Sequence, residues 1–477
     1  MIEYAVVGSG IGGSGIAAYL DAKGHNTVLF EKEPYLGGCS STFKHQGFSY
    51  NTGATTLAGY QDGHIVKSMF DAIGFTPDLI PTDPAIIILQ NGKETPRYTD
   101  LEKFLNILES NYPHPRNRAF WTLVHDLGTQ FYAIQGHYYS NRSFFHKVRS
   151  LTSYLPLLFK FQRYLRHNAF DFIKQFYGDI TDEYLQFLES QVLIVAQAPL
   201  REINFFTAAI SLGYTFNETH YVPGGFGALF DQMTASMKNV QRKTEITRIE
   251  KRENYFILHT KSGSFVGSVK AKNIILNSTV YESDKLFNDD KIKSYYKPYK
   301  KLNNHQSSFM LYMTIQSEKK FEHHYQLIQN EPYTHTLSNA LFVSFSDMDD
   351  EKLCEKGHYS ITASIHTDER WWEDKASYKD KKEYLQSVLI KSICDILDIK
   401  NEEIVHHFAA TPKTFKQYIK RSQLGGNAIT MKNFLPRLPA NDTPIEGLYH
   451  VGDTVYAAQG WPGVMLGVDN LRKLLHV

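Results

Sequence analysis

Four glycines within six residues, set between an apolar strand and a helix, constrain this chain more than any other feature. Tyr4-Ala5-Val6-Val7 suits a buried parallel strand, and Gly8-Ser9-Gly10-Ile11-Gly12-Gly13 follows it at once. A helical stretch then runs from Ser14 to Lys23, with Ile16, Ala17 and Leu20 on one face. Gly24 ends that helix, Thr27 to Phe30 forms a second apolar strand, and Glu31 stands at its end. This order predicts a β-α-β unit that binds a dinucleotide. Gly8 permits the tight turn, Gly10 lets the backbone approach a pyrophosphate, and Gly13 lets helix and strand pack closely. Ile11 and Gly12 in the turn, with the helix N-terminus that follows, offer free N–H groups and a positive dipole end to phosphates. Glu31 is placed to accept hydrogen bonds from an adenosine ribose, and its charge disfavours a 2′-phosphate there.

At 477 residues the chain is too long for one ordinary core, so two or more domains are expected. Lys+Arg 51 against Asp+Glu 50 gives a net charge of +1, which provides no field to direct the chain to nucleic acid. The cysteines Cys39, Cys354 and Cys394 have no paired spacing, so a reducing compartment and no metal cluster are expected. The first core strand begins at the start of the chain, so no signal peptide is expected. No stretch reaches the roughly 18 apolar residues of a spanning helix.

Further along, Gly47-Phe48-Ser49-Tyr50-Asn51-Thr52-Gly53-Ala54 reads as a short strand ending in a glycine loop. Ala85 to Leu89 is a strand, and Asn91-Gly92 signals a hairpin that opens a second domain. Residues 101–215 are helical by pattern. Within them, 142–174 carries Arg142, Lys147, Arg149, Lys160, Arg163, Arg166 and Lys174 against the single acid Asp171, with Phe, Tyr and Leu interleaved. That mixture suits a helix on an anionic membrane surface, and equally a helical pair whose basic residues face water.

Tyr221-Val222-Pro223-Gly224-Gly225 predicts a turn, with a helix from about Gly227 to Lys238. Val240 to Lys243 and Glu245 to Ile249 are expected to pair as strands. Tyr255 to Thr260 and Ser264 to Val269 follow as a hairpin, and Ala271 to Ser278 as a separate strand. Phe309 to Ile315 and Tyr359 to Ile365 are expected sheet strands, and Ser377 to Leu397 a helix capped by Ser377. The neighbours His323-His324 and His406-His407 diverge in any regular element and are read as ordinary residues, not metal ligands. At the carboxyl end, Gly447 to Val451 forms a strand that ends in Gly452-Asp453. Gly460-Trp461-Pro462-Gly463-Val464 then opens a last helix, with Pro462 in its first turn. That helix start can face a group that becomes negative.

Taken together, GSGIGGSGIAAYL…EKEPYLGGCSSTF, VPGGFGAL, ATPKTFKQYIKRS at 410–422 and GLYHVGDTVYAAQGWPGV resemble the carotenoid isomerase, phytoene desaturase and retinol saturase branch of the amine-oxidase superfamily. The resemblance implies FAD as cofactor and an α/β fold. Its Rossmann-type FAD-binding domain has glutathione-reductase-like, p-hydroxybenzoate-hydroxylase-like topology and is joined to an α+β substrate domain with a helical cap. The FAD domain is expected over 1–84, 216–285 and 405–477, and the substrate domain over 85–215 and 286–404, with the cap at 101–215. The extension Lys32, Gly37, Gly38, Cys39, Ser40 and Thr42 is then expected along the dinucleotide, Val240 at the adenine, and Asp453 at hydroxyls on the ribityl or phosphate side. Gln459-Gly460-Trp461-Pro462 departs from the branch with a bulky indole, and Gly425-Gly426-Asn427 replaces an expected glycine-tyrosine-glycine.

The implied activity is FAD-dependent chemistry at carbon–carbon bonds of an apolar, polyene-like substrate, and desaturation, saturation and isomerisation all fit. An FAD-dependent amine oxidase and a non-catalytic FAD-binding protein are the alternatives. Gln459 and Trp461 are the cavity candidates, and no catalytic acid or base is assigned. The expected partners are the apolar substrate and an anionic membrane through 142–174. The expected location is cytoplasmic, peripheral on the inner membrane face.

Overall fold

The computed structural model describes residues 1–134, 137–433, 438–456 and 459–477. Ala457 and Ala458 of the carboxyl-terminal motif lie outside the described residues. The amino-terminal unit forms as expected: strand Ile2–Val7, helix Ile11–Ala22 and strand Thr27–Phe30. The helix starts three residues earlier than its apolar periodicity indicates, because glycine is tolerated in a helix start that packs tightly. Five parallel strands lie in the order Val240–Gln241, Thr27–Phe30, Ile2–Val7, the end of Phe265–Leu276, and Leu448–His450. The chain reverses its direction of travel across this sheet at Ile2–Val7. A Rossmann-type sheet opens its ligand crevice at that reversal, beyond the carboxyl ends of the strands.

Four sequence expectations change here. Val240–Gln241 and Glu245–Lys251 do not pair with each other: the first joins Leu29–Phe30 in parallel, and the second lies antiparallel to Phe256–Ser262. The expected hairpin arm and the separate strand after it are one strand, Phe265–Leu276. Its first half pairs with Phe256–Ser262 and its second half with Ile2–Val7. The helix after Pro-Gly-Gly spans Gly225–Met233, since both glycines take positive φ and turn the chain directly into it. Ser377 precedes the helix Tyr378–Leu397, but its hydroxyl bonds Asp374 and makes no cap bond.

A second seven-stranded sheet runs in the order Ile404–Ala410, Gln306–Gln316, His358–Asp368, Ala340–Phe345, His324–Ile328, Ile86–Gln90 and Lys93–Arg97. Asn91 and Gly92 form the hairpin turn, both at positive φ. Because Ile404–Ala410 pairs with Gln306–Gln316, the expected boundary at 405 falls inside a strand of this second sheet. Helix Tyr378–Leu397 covers one face with Leu385, Leu389 and Ile393.

The described residues of 101–213 contribute six helices: Leu101–Asn111, Asn117–Tyr132, Phe144–Leu165, Ala169–Tyr177, Asp182–Ala196 and Phe205–Gly213. They share one core around Phe104, Trp121, Phe187 and Leu212. No helix among the described residues is long and apolar enough to cross a membrane. The histidine pairs do diverge: His324 is buried between Thr56 and Ser344, while His323 stacks on Tyr221 at 4.5 Å. His407 bonds Gln386, and His406 meets His45 at 3.1 Å. Among the described residues no group of three or more His, Cys, Asp or Glu side chains could hold a metal.

Candidate functional site

The crevice is built around three glycine-containing turns and one asparagine. Gly8, at φ 96°, turns the chain out of the first strand. A Cβ on Gly13 would sit 2.0 Å from the Gly8 carbonyl oxygen, so helix and strand meet here without room for any side chain. Gly13 therefore sets the packing, as expected, and does not reach the cavity. Gly10 and Gly452 both border Asn277: a Cβ on Gly10 would lie 2.5 Å from its Nδ2, and one on Gly452 2.9 Å from its Oδ1. Asn277 ends strand Phe265–Leu276, with its N–H donating to Val7 at 2.9 Å. Its side chain thus stands between the amino-terminal and carboxyl-terminal turns. Sequence reasoning passed over Asn277, since an asparagine after an apolar strand reads as plain turn chemistry.

No side chain caps helix Ile11–Ala22, whose start follows Gly10. Its first-turn N–H groups face the same cavity as Gly8, Gly10, Ile11 and Gly12. Helix Gly460–Leu475 likewise starts after Gln459 with no side-chain cap, and Gln459, Gly463 and Val464 line that cavity. Two uncapped helix starts and an acid at the end of the second strand form the donor and acceptor set that a dinucleotide needs. Glu31 is buried; its Oε2 accepts from the Ser9 N–H at 2.9 Å and hydroxyl at 2.6 Å, and its Oε1 from the Glu33 N–H at 2.9 Å. These bonds fix the carboxylate against the glycine turn and leave lone pairs for further donors.

Lys32, Gly37, Gly38, Cys39 and Ser40 line the cavity too. Lys32 reaches Glu33 and the Tyr418 carbonyl. Thr42 does not line it: its hydroxyl accepts from the Gly227 N–H at 2.9 Å, while Asn51 accepts from Phe226 at 3.0 Å. The pair caps helix Gly225–Met233, which gives the central glycine motif a packing role. Val240 is a second correction. It lies in register with Leu29 and packs on the amino-terminal core, while Thr244 to Thr247 line the cavity in its place.

Asp453 lines the cavity, but Arg421 holds it in a bidentate pair at 3.0 and 3.1 Å. The fork occupies one lone pair of each carboxylate oxygen. Burial opposes the charge of Arg421, yet Asp453, through its charge and its hydrogen bonds, more than offsets it and holds its pKa above the usual range. Burial pushes the Cys39 thiol up, and the Arg421 charge works against that shift. Arg421 belongs to the motif at 410–422, so the sequence carried its signal without its role. Gly426 brings its segment against Asp453, where a Cβ would meet the carbonyl oxygen at 2.4 Å.

Trp461 differs most from expectation. It is 2% exposed, stacked between Phe226 at 5.8 Å and Phe230 at 5.6 Å and edge-on to Phe70 at 5.9 Å. Trp461 still borders the cavity, and its Nε1–H has no partner. The bulky residue fills the core behind the helix start.

One cavity of about 2370 Å³ runs from Gly8 and Glu31, past Asp453 and Gly463, to an apolar chamber under helix Phe144–Leu165. Leu157, Phe161, Leu165, Phe206 and Ile210 wall that chamber. At the junction Tyr456 stacks on Tyr139 at 4.9 Å and shares a hydroxyl–hydroxyl bond with Tyr154. Burial raises both phenols of that bond, Tyr456 to about 12, so both stay protonated near neutral pH.

Residues 6–73 match the NAD(P)-binding Rossmann-like domain family. The chain is 25% identical to the chloroplastic prolycopene isomerase of Daucus carota over 492 residues, covering 95% of this chain and 77% of the relative. It is 26% identical to a 4,4'-diapophytoene desaturase of Staphylococcus haemolyticus over 230 residues, covering 47% and 44%. An oxidoreductase structure from Methanosarcina mazei superposes with a TM-score of 0.65 at 17% identity, covering 99% of this chain and 100% of that one, which shows the shared fold. The chain is thus similar to a prolycopene isomerase over nearly all of its length and to a diapophytoene desaturase over about half of it.

Proposed function

We infer that this chain is an FAD-dependent oxidoreductase acting on carbon–carbon bonds of an apolar, polyene-like substrate. One observation carries the reading: a single cavity joins the glycine turns to an apolar chamber. Two relatives named for work on polyenes support it, as does the match to a dinucleotide-binding domain. FAD, when bound, supplies two-electron redox chemistry at carbon. Glu31 would hold the adenosine ribose, and the start of helix Ile11–Ala22 the pyrophosphate. The start of helix Gly460–Leu475 would meet negative charge on the redox-active ring. Tyr154 and Tyr456 keep their hydroxyl protons; one proton is used in their mutual bond, and the other hydroxyl can donate a hydrogen bond beside the substrate. Leu157, Phe161 and Phe206 exclude water from it. The glycine turns, the central strands and the carboxyl end would make up the FAD domain, with the second sheet and the six helices enclosing the substrate.

The test is spectroscopic. The purified protein should be yellow, and a polyene should bleach it anaerobically; bleaching by an amine instead would make it an amine oxidase. Glu31→Ala should weaken FAD binding by about 1–3 kcal/mol, the range for a hydrogen bond to a charged group. Unchanged affinity in that variant would remove the ribose role.

The cap helix Phe144–Leu165 supports a second element of this reading, a peripheral membrane site. Its inner residues wall the chamber, while Phe144 (75% exposed), Phe145 (81%) and Phe159 (67%) face outward among Lys147, Lys160 and Arg163. An apolar substrate drawn from a bilayer would enter through this helix. Anionic lipid adds about 1 kcal/mol per basic residue at the surface. The protein should float with anionic liposomes at low salt and less so at high salt. A Phe144→Ser, Phe145→Ser double variant should lose most of that binding, since each buried ring contributes about 1.5–3 kcal/mol. A wild-type protein that stays at the bottom of the gradient would rule the membrane site out.

A further inference from the structure

Strand His358–Asp368 has two faces of different character. Ile361, Ala363 and Ile365 point into the core under helix Tyr378–Leu397. Ser360, Thr362, Ser364 and His366 alternate with them and stand on the opposite face. The first two are satisfied: the Ser360 hydroxyl donates to the Ser49 carbonyl at 2.7 Å, and that of Thr362 to the Asn51 carbonyl at 3.2 Å. Beyond the cover of strand Phe48–Asn51 the same face becomes cavity wall, and Ser364 and His366 line it, both half-buried. Among the described residues, neither the Ser364 hydroxyl nor the His366 ring has a hydrogen-bond partner. Ser308 lines the cavity directly across from His366 in the neighbouring strand, and its hydroxyl has only long contacts, of 3.3 and 3.4 Å. Directly opposed side chains sit about 5 Å apart at Cβ and same-face neighbours along a strand about 7 Å, so the three form one polar cluster.

The charge around this cluster narrows what fits. Burial alone lowers the pKa of His366, to about 4, so its ring is neutral near pH 7. The titratable groups on the elements around it are otherwise engaged. Asp368 pairs with Arg370, Glu369 with His305 at 2.7 Å, and Arg421 with Asp453. Burial keeps Tyr312 protonated, and burial with the charge of Lys381 keeps His335 neutral. The acids that line the cavity stand elsewhere or are paired: Glu31, Glu33 and Glu245 around the second strand, Glu282 with Lys285. A substrate ammonium would therefore bring a charge with no acid to meet it. A bare carboxylate is equally costly, but one that arrives with a proton leaves the wall neutral. The proton rests on the imidazole, and the imidazolium N–H and the two hydroxyls donate to the carboxylate oxygens. A lone alcohol or ketone oxygen uses fewer of these groups and leaves the rest unpaired.

We propose that His366, Ser364 and Ser308 form a subsite for a carboxyl group at the end of an apolar chain, which binds together with one proton. The substrate class then narrows to long unsaturated acids. This rests on the apolar-substrate reading above and refines it. The sign of the pH dependence follows. A free carboxyl titrates at about 4.3, close to His366 in the empty cavity, whereas pairing raises the imidazole in the complex. Between those values and the pKa of the complex, the bound state holds one proton more than its free parts. Affinity therefore falls about tenfold for each unit that the pH rises.

Two fluorescent probes of one frame test it: trans-parinaric acid, a tetraene carboxylic acid, and its methyl ester, titrated by anisotropy into the purified protein between pH 6 and 8. The acid should lose about tenfold in affinity per pH unit, while the ester, which carries no ionisable group, should bind equally across the range. In His366→Gln, which keeps a donor but cannot take up the proton, the slope should vanish. In Ser364→Ala the slope should persist and the acid should bind about three- to tenfold more weakly, the effect of one lost hydrogen bond. Neither side chain makes a bond that holds the fold, and the second variant keeps the test open if the first does not fold. Acid binding that ignores pH would overturn the subsite, and so would a slope that survives in His366→Gln. Ester binding with no preference for the acid at pH 6 removes the subsite alone. Failure of both probes to bind at any pH removes the apolar-substrate reading as well.

Discussion

Gly13→Ala should abolish dinucleotide binding and destabilise the protein by about 3 kcal/mol or more, the upper range for overpacking. The new Cβ would sit 2.0 Å from the Gly8 carbonyl oxygen and 3.0 Å from the Asn277 Cβ. The first of these contacts is backbone, which cannot rotate away. Relief requires helix Ile11–Ala22 to back off from the first strand by more than an ångström, and its uncapped N–H groups would leave the cavity with it. The ratio of flavin to protein absorbance on purification and the thermal midpoint both report this. Ser14→Ala, one residue further on, is the control. It loses only the hydroxyl bond to the Ser9 carbonyl at 2.8 Å, so it should cost about 1 kcal/mol and keep the cofactor. A Gly13→Ala protein that is yellow and melts with the wild type would refute the close packing.

The second large effect belongs to Trp461. Removing a buried indole to alanine costs about 3–5 kcal/mol, because the transfer term and the residual cavity add. Phe70 lies on helix Ile65–Ile73 and Phe226 and Phe230 on helix Gly225–Met233, so the three rings cannot all collapse into the space. Trp461→Phe should cost much less, since it keeps a ring in the stack and removes an N–H that has no partner. Urea midpoints of the two variants against wild type measure the difference. If Trp461→Ala kept wild-type stability and changed only ligand affinity, the indole would be a cavity side chain, as its place in the sequence indicates.

Trp461 shows where a linear reading stops. Its motif locates the residue at the start of the last helix, beside the expected cofactor. Which way a first-turn side chain points depends on what packs against that helix, and here the helix Gly225–Met233 supplies Phe226 and Phe230. Thr42 and Val240 lie off the cavity wall for the same reason. Each lies within a few residues of the cavity along the chain, but their contacts come from Gly227 and from Leu29, at sequence distances no local pattern records. Arg421 illustrates the reverse: its motif was legible, but its meaning depends on Asp453, 32 residues away.

By itself the sequence determined the parts whose physics is local. Strand, glycine turn, helix and second strand follow one another within thirty residues, and each step is set by backbone sterics and apolar periodicity. The hairpin at Asn91-Gly92 and the helical character of the cap were legible on the same grounds. Only the tertiary structure decided the rest: the placing of Asn277 between the two ends of the chain, the Arg421–Asp453 pair, and the burial of Trp461 with its N–H unpartnered. These come from elements that meet only on folding. Whether a buried polar atom finds a partner depends on the neighbours brought to it, and a sequence lists only the neighbours along the chain.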